Sequence, residues 1–195
     1  MLDYSFAIIF LIALSPILLL VSVLVAVIDG KPILFKQKRI GQNKKKFIIY
    51  KFKTMIDSRG PLLTFDQDKR ITKLGQFLRK SKLDELPQLI NVVKGEMSFI
   101  GPRPEVPIMA RERYKIRNRV FDLKPGITGL SSIRFIDEQK YMVRSKQQTI
   151  YNIYIRKILP EKIAIDNEYA ENISLLLDLK IAIKTIFVLL GTTYK

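Results

Sequence analysis

Between Tyr4 and Ile28 the chain carries no charged side chain. Roughly 20 consecutive apolar residues are enough for a helix to span a bilayer. Ser15-Pro16 falls near the middle of this run. A proline there frees a backbone carbonyl and bends the axis, and an adjacent serine can satisfy the freed group. Taken alone, the pattern predicts a kinked transmembrane helix with its C-terminal side in the cytoplasm. It does not predict a cleaved signal peptide, because a basic leading segment and a small-residue cleavage pattern are both missing.

The pattern changes after Gly30. Residues 33–40 and 46–52 are rich in β-branched and aromatic side chains and flank Gly41-Gln42-Asn43-Lys44, which predicts a basic β-hairpin lying on anionic lipid. Residues 57–72 are polar and broken at Gly60-Pro61. Asp66 and Asp68 in this stretch have no further ligands at a calcium-loop spacing and read as solvated charges. Residues 71–80 predict a short amphipathic helix with Leu74, Phe77 and Leu78 on one face and Arg79 at its end. Pro87 fits only near the start of a helix. A helix is therefore predicted from Asp84 or Glu85 through Leu86, Leu89, Ile90 and Val93 to a left-handed cap at Gly95. Residues 107–122 predict a basic helix whose Arg111, Arg113, Lys115, Arg117 and Arg119 face solvent or lipid. A last helix is predicted from Asn172-Ile173-Ser174 to Leu190. Asp178, Lys180 and Lys184 interrupt its apolar run and favour an interfacial or packing helix over a second span. These elements sum to a mainly helical α+β chain, with a membrane anchor over residues 1–30 and one domain over residues 31–195.

Charge sharpens that division. The 195 residues carry a formal net charge of +16. Residues 1–30 hold two acids, Asp3 and Asp29, and no base, whereas residues 31–60 hold ten Lys or Arg against Asp57 alone. A cationic block directly after an apolar segment fits the cytoplasmic face of a membrane. Histidine and cysteine are absent. Acid–base or nucleophilic chemistry must then use Asp, Glu, Lys, Tyr or Ser, and a metal must be held by oxygen, which points to Mg2+ or Mn2+.

The candidate chemistry gathers between Arg79 and Glu105. Asp84-Glu85 sits at the positive end of the predicted central helix, where carboxylates stay ionised and phosphates bind. The local pattern by itself favours helix capping over catalysis, since Asp is a good N-cap and Glu suits a first turn. The surroundings change that balance. Arg79 lies five residues before Asp84, and Arg103 is held between Pro102 and Pro104. Two cations around an ionised dyad point to an anionic substrate.

Leu83-Asp84-Glu85-Leu86-Pro87-Gln88-Leu89, Asn91-Val92-Val93-Lys94-Gly95-Glu96-Met97-Ser98 and Gly101-Pro102-Arg103-Pro104 together resemble the signature of the bacterial sugar transferases, the small monotopic phosphoglycosyl transferases. Lys124-Pro125-Gly126-Ile127-Thr128-Gly129 resembles a family segment near the active site, and Lys51-Phe52-Lys53-Thr54-Met55 one in which the family has Arg where this chain has Lys53. Ser132-Ile133-Arg134-Phe135 departs from the family's usual run, whereas Ile158-Leu159-Pro160-Glu161-Lys162 and Tyr169 resemble one branch. The region from Ser131 to Tyr169 is expected to shape the sugar or nucleotide pocket.

The resemblance implies an enzyme at the cytoplasmic face of a bacterial inner membrane. It implies that Ser15-Pro16 breaks the apolar run into a re-entrant hairpin. The implied reaction moves a phosphosugar from a UDP-sugar to polyprenyl phosphate, with undecaprenyl phosphate the expected acceptor, and releases UMP to initiate a glycoconjugate. Asp84 would attack the phosphorus, carry the phosphosugar covalently and contact magnesium. Glu85 would aid the metal or deprotonate the lipid phosphate. Arg79 and Arg103 would neutralise phosphate, with Lys51, Lys53, Thr54, Gly126 and Thr128 as further phosphate-binding candidates. Membrane lipids are implied partners, a homodimer is left open, and nothing resembles a base-reading platform for nucleic acid. Two rivals explain part of the pattern: a membrane-anchored basic binding module, and a structural subunit in which Asp84 only caps a helix.

Overall fold

The structure, a computed structural model, describes residues 2–56, 68–115, 119–136 and 151–191. Of the predicted polar segment over residues 57–72, residues 57–67, with Gly60-Pro61 and Asp66, lie outside the described residues, as does Arg117. Asp68, read as a solvated charge, is instead buried, with its Oδ2 2.6 Å from Arg70 Nη2.

Pro16 divides the N-terminal run into α1 (Leu2–Ala13) and α2 (Ser15–Leu24), which continues through a π-helical turn at Val25–Asp29. The two parts are bent by 60°. Pro16 has no N–H for the carbonyl of Ile12, and Ser15 Oγ donates to that oxygen instead at 2.7 Å. Among the described residues no single helix is long and apolar enough to cross a membrane. One side of the pair joins the core: Ala7 packs with Phe47, Ile49, Val92 and Met97, and Val21 and Val25 pack with Phe52 and Leu78. The other side exposes Ile9, Ile12, Leu19, Leu20 and Val27.

The hairpin forms where the alternating pattern places it. Strands β1 (Leu34–Ile40) and β2 (Lys46–Phe52) pair antiparallel from Leu34 opposite Phe52 to Ile40 opposite Lys46. Asn43 and Lys44 take the left-handed conformation at the turn, with φ of 53° and 60°. Successive strand residues face opposite ways, so Lys51 shares the inward face of Phe47 and Ile49. It therefore points into the protein, unlike the lysines of the outer face.

Helix α3 (Lys73–Lys80) starts at Thr72, whose Oγ1 accepts from Gly75 N at 2.8 Å. It docks through Gly75, Leu78 and the half-buried Leu74, so that of the predicted face only Phe77 turns outward, at 62% exposed. The reason is the close approach at Gly75, where a Cβ would stand 2.2 Å from Thr54 O. Gly75→Ala is expected to cost about 1–3 kcal/mol through overpacking, read as a lower urea midpoint. A midpoint equal to wild type would refute the contact.

The central segment begins at Leu83, not Asp84, as a 3₁₀ turn (Leu83–Gln88) that becomes helix α4 (Leu89–Val93). Gly95 follows with φ of 73°, as the capping pattern predicts. Asn91 ties α4 to the hairpin: its Nδ2 donates to Ile48 O at 2.6 Å, and its Oδ1 accepts from Tyr50 N at 3.2 Å.

A second sheet joins two segments for which the sequence pattern predicts no strand. Strand β3 (Ser98–Ile100) pairs parallel with β4 (Gly126–Thr128), Ser98 opposite Gly126 and Ile100 opposite Thr128. Three-residue strands carry too little alternation to be seen in sequence. Helix α5 (Pro107–Tyr114) stops short of the predicted end, and Val120–Asp122 forms a separate 3₁₀ turn. Arg111, Lys115 and Arg119 are exposed as expected. Arg113 is not: it is buried, and its Nη2 meets Asp166 Oδ2 at 2.8 Å. Helices α6 (Leu130–Arg134) and α7 (Leu159–Glu171), the latter preceded by a π-helical turn at Tyr154–Ile158, and α8 (Leu175–Leu189) complete the described fold. Ser174 caps α8, whose Leu175, Leu176, Leu179 and Ile186 are exposed while Ile181 is buried.

Candidate active site

Glu85 is clasped by two cations. Lys51 Nζ, reaching from the inward face of β2, lies 2.5 Å from its Oε1, and Arg103 Nη2 lies 3.1 Å from the same oxygen. Burial alone would raise the pKa of Glu85. Lys51, then Arg103, overturn that effect and hold the carboxyl well below its ordinary range. Burial pushes the Lys51 ammonium down to about 8, with Glu85 opposing.

Asp84 has a different environment. The N-cap position belongs to Lys82, in a left-handed conformation and without a side-chain cap bond. Asp84 is thus not the helix cap that the local pattern favours. It is buried, and its Oδ1 meets no hydrogen-bond partner among the described residues. Burial raises its pKa, Lys51 opposes the rise, and Glu85 adds to it. A buried carboxylate oxygen without a donor is costly in a resting fold. It is also what a nucleophile or a metal ligand requires.

The other predicted residues separate into two groups. Arg79 is near the dyad, and its Nε donates to Thr54 Oγ1 at 2.9 Å. Burial lowers its pKa, while Asp84 acts as the largest opposing charge. Thr54 therefore orients Arg79. Lys53 is turned elsewhere: its Nζ donates to Asp29 O at 2.7 Å and fixes the end of the N-terminal segment. Gly126 N is committed to Pro102 O at 3.0 Å, and a Cβ on Gly126 would stand 2.2 Å from Gly101 N. The packing of two backbones explains this glycine without a ligand. Thr128 lines the cavity beside the dyad, its hydroxyl 2.9 Å from that of Thr185.

Sequence reasoning missed two cations. Lys82 lines the same cavity and acts electrostatically on both acids. Arg39 donates from Nη1 to Pro104 O at 2.9 Å, which holds the turn carrying Arg103. Burial, then Arg103, lowers its pKa to about 10. In sequence both are lost among the lysines around them, although position in the strand was a usable signal for Arg39.

The cavity has a volume of about 430 Å³. Glu85, Arg103, Lys82 and Lys162 line it together with apolar Phe10, Leu14, Phe99, Ile133 and Val188. The described residues contain no group of three or more carboxylates that would hold a metal alone. Magnesium commonly uses one or two carboxylates plus substrate phosphates. Asp84, with its unpartnered oxygen, fits that pattern; Glu85 is already engaged by cations.

The sequence model of the family described as bacterial sugar transferase matches residues 1–192. The chain is 37% identical to the exopolysaccharide production protein ExoY of Sinorhizobium fredii, over 94% of this chain and 81% of that protein. It is 36% identical to an uncharacterized sugar transferase, EpsL, of Bacillus subtilis, over 94% of this chain and 83% of the relative. It is 35% identical to the UDP-glucose:undecaprenyl-phosphate glucose-1-phosphate transferase of Klebsiella pneumoniae, over 91% of this chain but 37% of that longer protein.

Proposed function

Because the chain belongs to the bacterial sugar transferase family and is a transferase, we propose that it moves a sugar 1-phosphate from a UDP-sugar to undecaprenyl phosphate with release of UMP. The observation that carries this reading is Asp84: a buried carboxylate with an unpartnered oxygen, beside a second acid that has taken the neighbouring cations. An Asp84 oxygen attacks the phosphorus attached to the sugar, and the phosphoanhydride bond breaks with its electron pair leaving on UMP. An oxygen of the lipid phosphate then attacks the phosphosugar on Asp84 and restores the carboxylate. Dividing the transfer avoids gathering two polyanionic substrates at once.

Glu85 acts through charge in this scheme. A carboxylate held so far below its ordinary range is a weak base, so orienting Lys51 and Arg103 suits it better than proton abstraction. Arg79 and Arg103 oppose phosphate charge. Bound magnesium or manganese, held by Asp84 and substrate phosphates, would neutralise the diphosphate.

The N-terminal geometry supports a monotopic placement at the cytoplasmic face of the inner membrane. Ser98 Oγ donates to Asp3 Oδ2 at 2.6 Å, and Thr72 Oγ1 donates to Asp29 Oδ2 at 2.8 Å. Both ends of the apolar segment are thereby tied to one domain. A straight helix over residues 3–29 would separate them by about 40 Å. The 60° bend and the tied ends fit a re-entrant hairpin better than a kinked span.

The reading is tested by UMP release from a panel of UDP-sugars, with purified protein in nanodiscs, magnesium and undecaprenyl phosphate. Release with one donor that also depends on the lipid supports it; no release across the panel from folded protein rejects it. The pH profile tests the charge assignments. Activity should rise as Asp84 loses its proton, with a midpoint above the ordinary 3.8. It should fall with a midpoint near about 8 as Lys51 loses its charge. Lys51→Arg should move the alkaline limb upward, because guanidinium stays protonated. An alkaline limb that does not move would remove Lys51 from the scheme.

A further inference from the structure

Three cations line the cavity beside the dyad. Arg103 is paired with Glu85, and Lys162 is held over the rings of Phe135 and Tyr154. Among the described residues Lys82 alone of the three makes neither a hydrogen bond nor an ion pair through its side chain. Its place is nonetheless fixed. Lys82 N donates to Arg79 O at 3.2 Å, and Lys82 O accepts from Glu85 N at 3.1 Å. With φ of 58° and ψ of 12°, its backbone is left-handed, a conformation that glycine and asparagine adopt far more readily than lysine. Residues other than glycine held in that region cluster at functional sites. The turn calls for a left-handed residue, but no contact within the turn calls for an ammonium.

We propose that Lys82 Nζ binds a phosphate oxygen of the substrate in this cavity, two residues before the Asp84 that receives the phosphosugar. This assignment rests on the transferase reading above. Phosphate arriving at Asp84 adds negative charge beside two carboxylates. Lys51 and Arg103 are already engaged by Glu85, and Arg79 does not line the cavity. Lys82 is placed to meet the added charge, because its own charge already reaches both acids without contacting either. Leu83, Leu86 and Phe99 wall the cavity beside it, and apolar walls strengthen a charge–charge contact by excluding water. The phosphate comes from the nucleoside diphosphate of the donor or from the lipid phosphate.

The test uses the full chain in phosphatidylcholine nanodiscs with magnesium, a UDP-sugar that turns over and undecaprenyl phosphate. Lys82→Met should raise the KM of one substrate about tenfold, the loss of one charged hydrogen bond. A rise in the donor KM assigns the contact to the nucleoside diphosphate, and a rise in the acceptor KM assigns it to the lipid phosphate. Lys82→Arg, which keeps the charge, should restore most of the affinity. Lys82→Gly should match Lys82→Met in KM, yet unfold at a thermal midpoint equal to wild type or higher, because glycine takes the left-handed backbone without strain. It serves if Lys82→Met does not fold. Unchanged KM values for both substrates in these two variants would overturn the assignment. Binding is also read without turnover, as the rise in thermal midpoint produced by UDP or by undecaprenyl phosphate at subsaturating concentration. The rise from one of the two should shrink in Lys82→Met. A chain that releases no UMP would reject the transferase reading, while these shifts, reduced or unchanged, still decide this one.

Discussion

Asp84→Asn should lower UMP release by at least about 10³-fold while leaving the thermal midpoint equal to wild type or higher. Asparagine keeps the shape of the side chain and removes the nucleophilic oxygen. The stability half of the expectation follows from burial. Burial raises the pKa of Asp84 in the folded state above its ordinary value. At neutral pH the ionised side chain therefore weighs against folding, and this penalty disappears below the unfolded pKa. A neutral amide removes the penalty at every pH. Capping would give the opposite pair of results: about 1 kcal/mol of lost stability and retained function. The left-handed Lys82 at the N-cap position already argues against it. Wild type incubated with donor alone should gain the mass of a phosphosugar on Asp84. A mutant within tenfold of wild-type activity would sink the covalent scheme.

Arg113→Met should be the most damaging single change to stability, costing about 3–5 kcal/mol. Arg113 Nη2 meets Asp166 Oδ2 at 2.8 Å, and its Nε lies 3.6 Å from Glu105 Oε1. Tyr154 Oη donates to that Glu105 oxygen at 3.0 Å. Burial opposes the charge on Arg113, yet Glu105 and Asp166 raise its pKa on balance. Methionine would fill much of the space but take from buried Asp166 its cation and from buried Glu105 the largest of its opposing charges. Adding Asp166→Leu to Arg113→Met should recover part of the loss, because the carboxylate left without its cation is then removed. Urea unfolding of the two variants checks both steps; a loss below about 1 kcal/mol for the single change would show that the network is not fully desolvated. Activity should fall with stability. Glu105 O accepts from Ile40 N at 2.9 Å, so the same acid anchors the chain two residues beyond Arg103.

The hairpin, the break at Ser15-Pro16, the cap at Gly95 and the final helix were legible in sequence because each rests on local chemistry: strand alternation, a missing amide, a left-handed turn and a serine cap. The dyad was legible through its motif and its flanking arginines. What failed was contact between distant segments. Arg113 belongs to a helix that looks basic throughout, and its hydrogen-bond partner Asp166 lies 53 positions away, beyond the reach of any local pattern. Phe77 satisfies helical spacing, yet the close approach of Gly75 to Thr54 turns it outward. Gly126 resembles a ligand-cradling glycine in a motif but is used for the packing of two backbones. Lys51 illustrates an intermediate case: strand alternation places it inward with Phe47 and Ile49, while its setting among surface lysines conceals this.

The sharing of core positions between the N-terminal helices and the hairpin limits how this protein can be made water-soluble. Trimming at Gly30 would retain the acid pair and its cations, but would uncover Phe47, Ile49, Phe52 and Leu78 and remove Phe10 and Leu14 from the cavity wall. Polar replacements at outward positions such as Ile12, Leu19 and Val27 would leave those contacts in place. The apolar segment serves as both an exposed apolar surface and an internal support, and only the first of these roles can be engineered away.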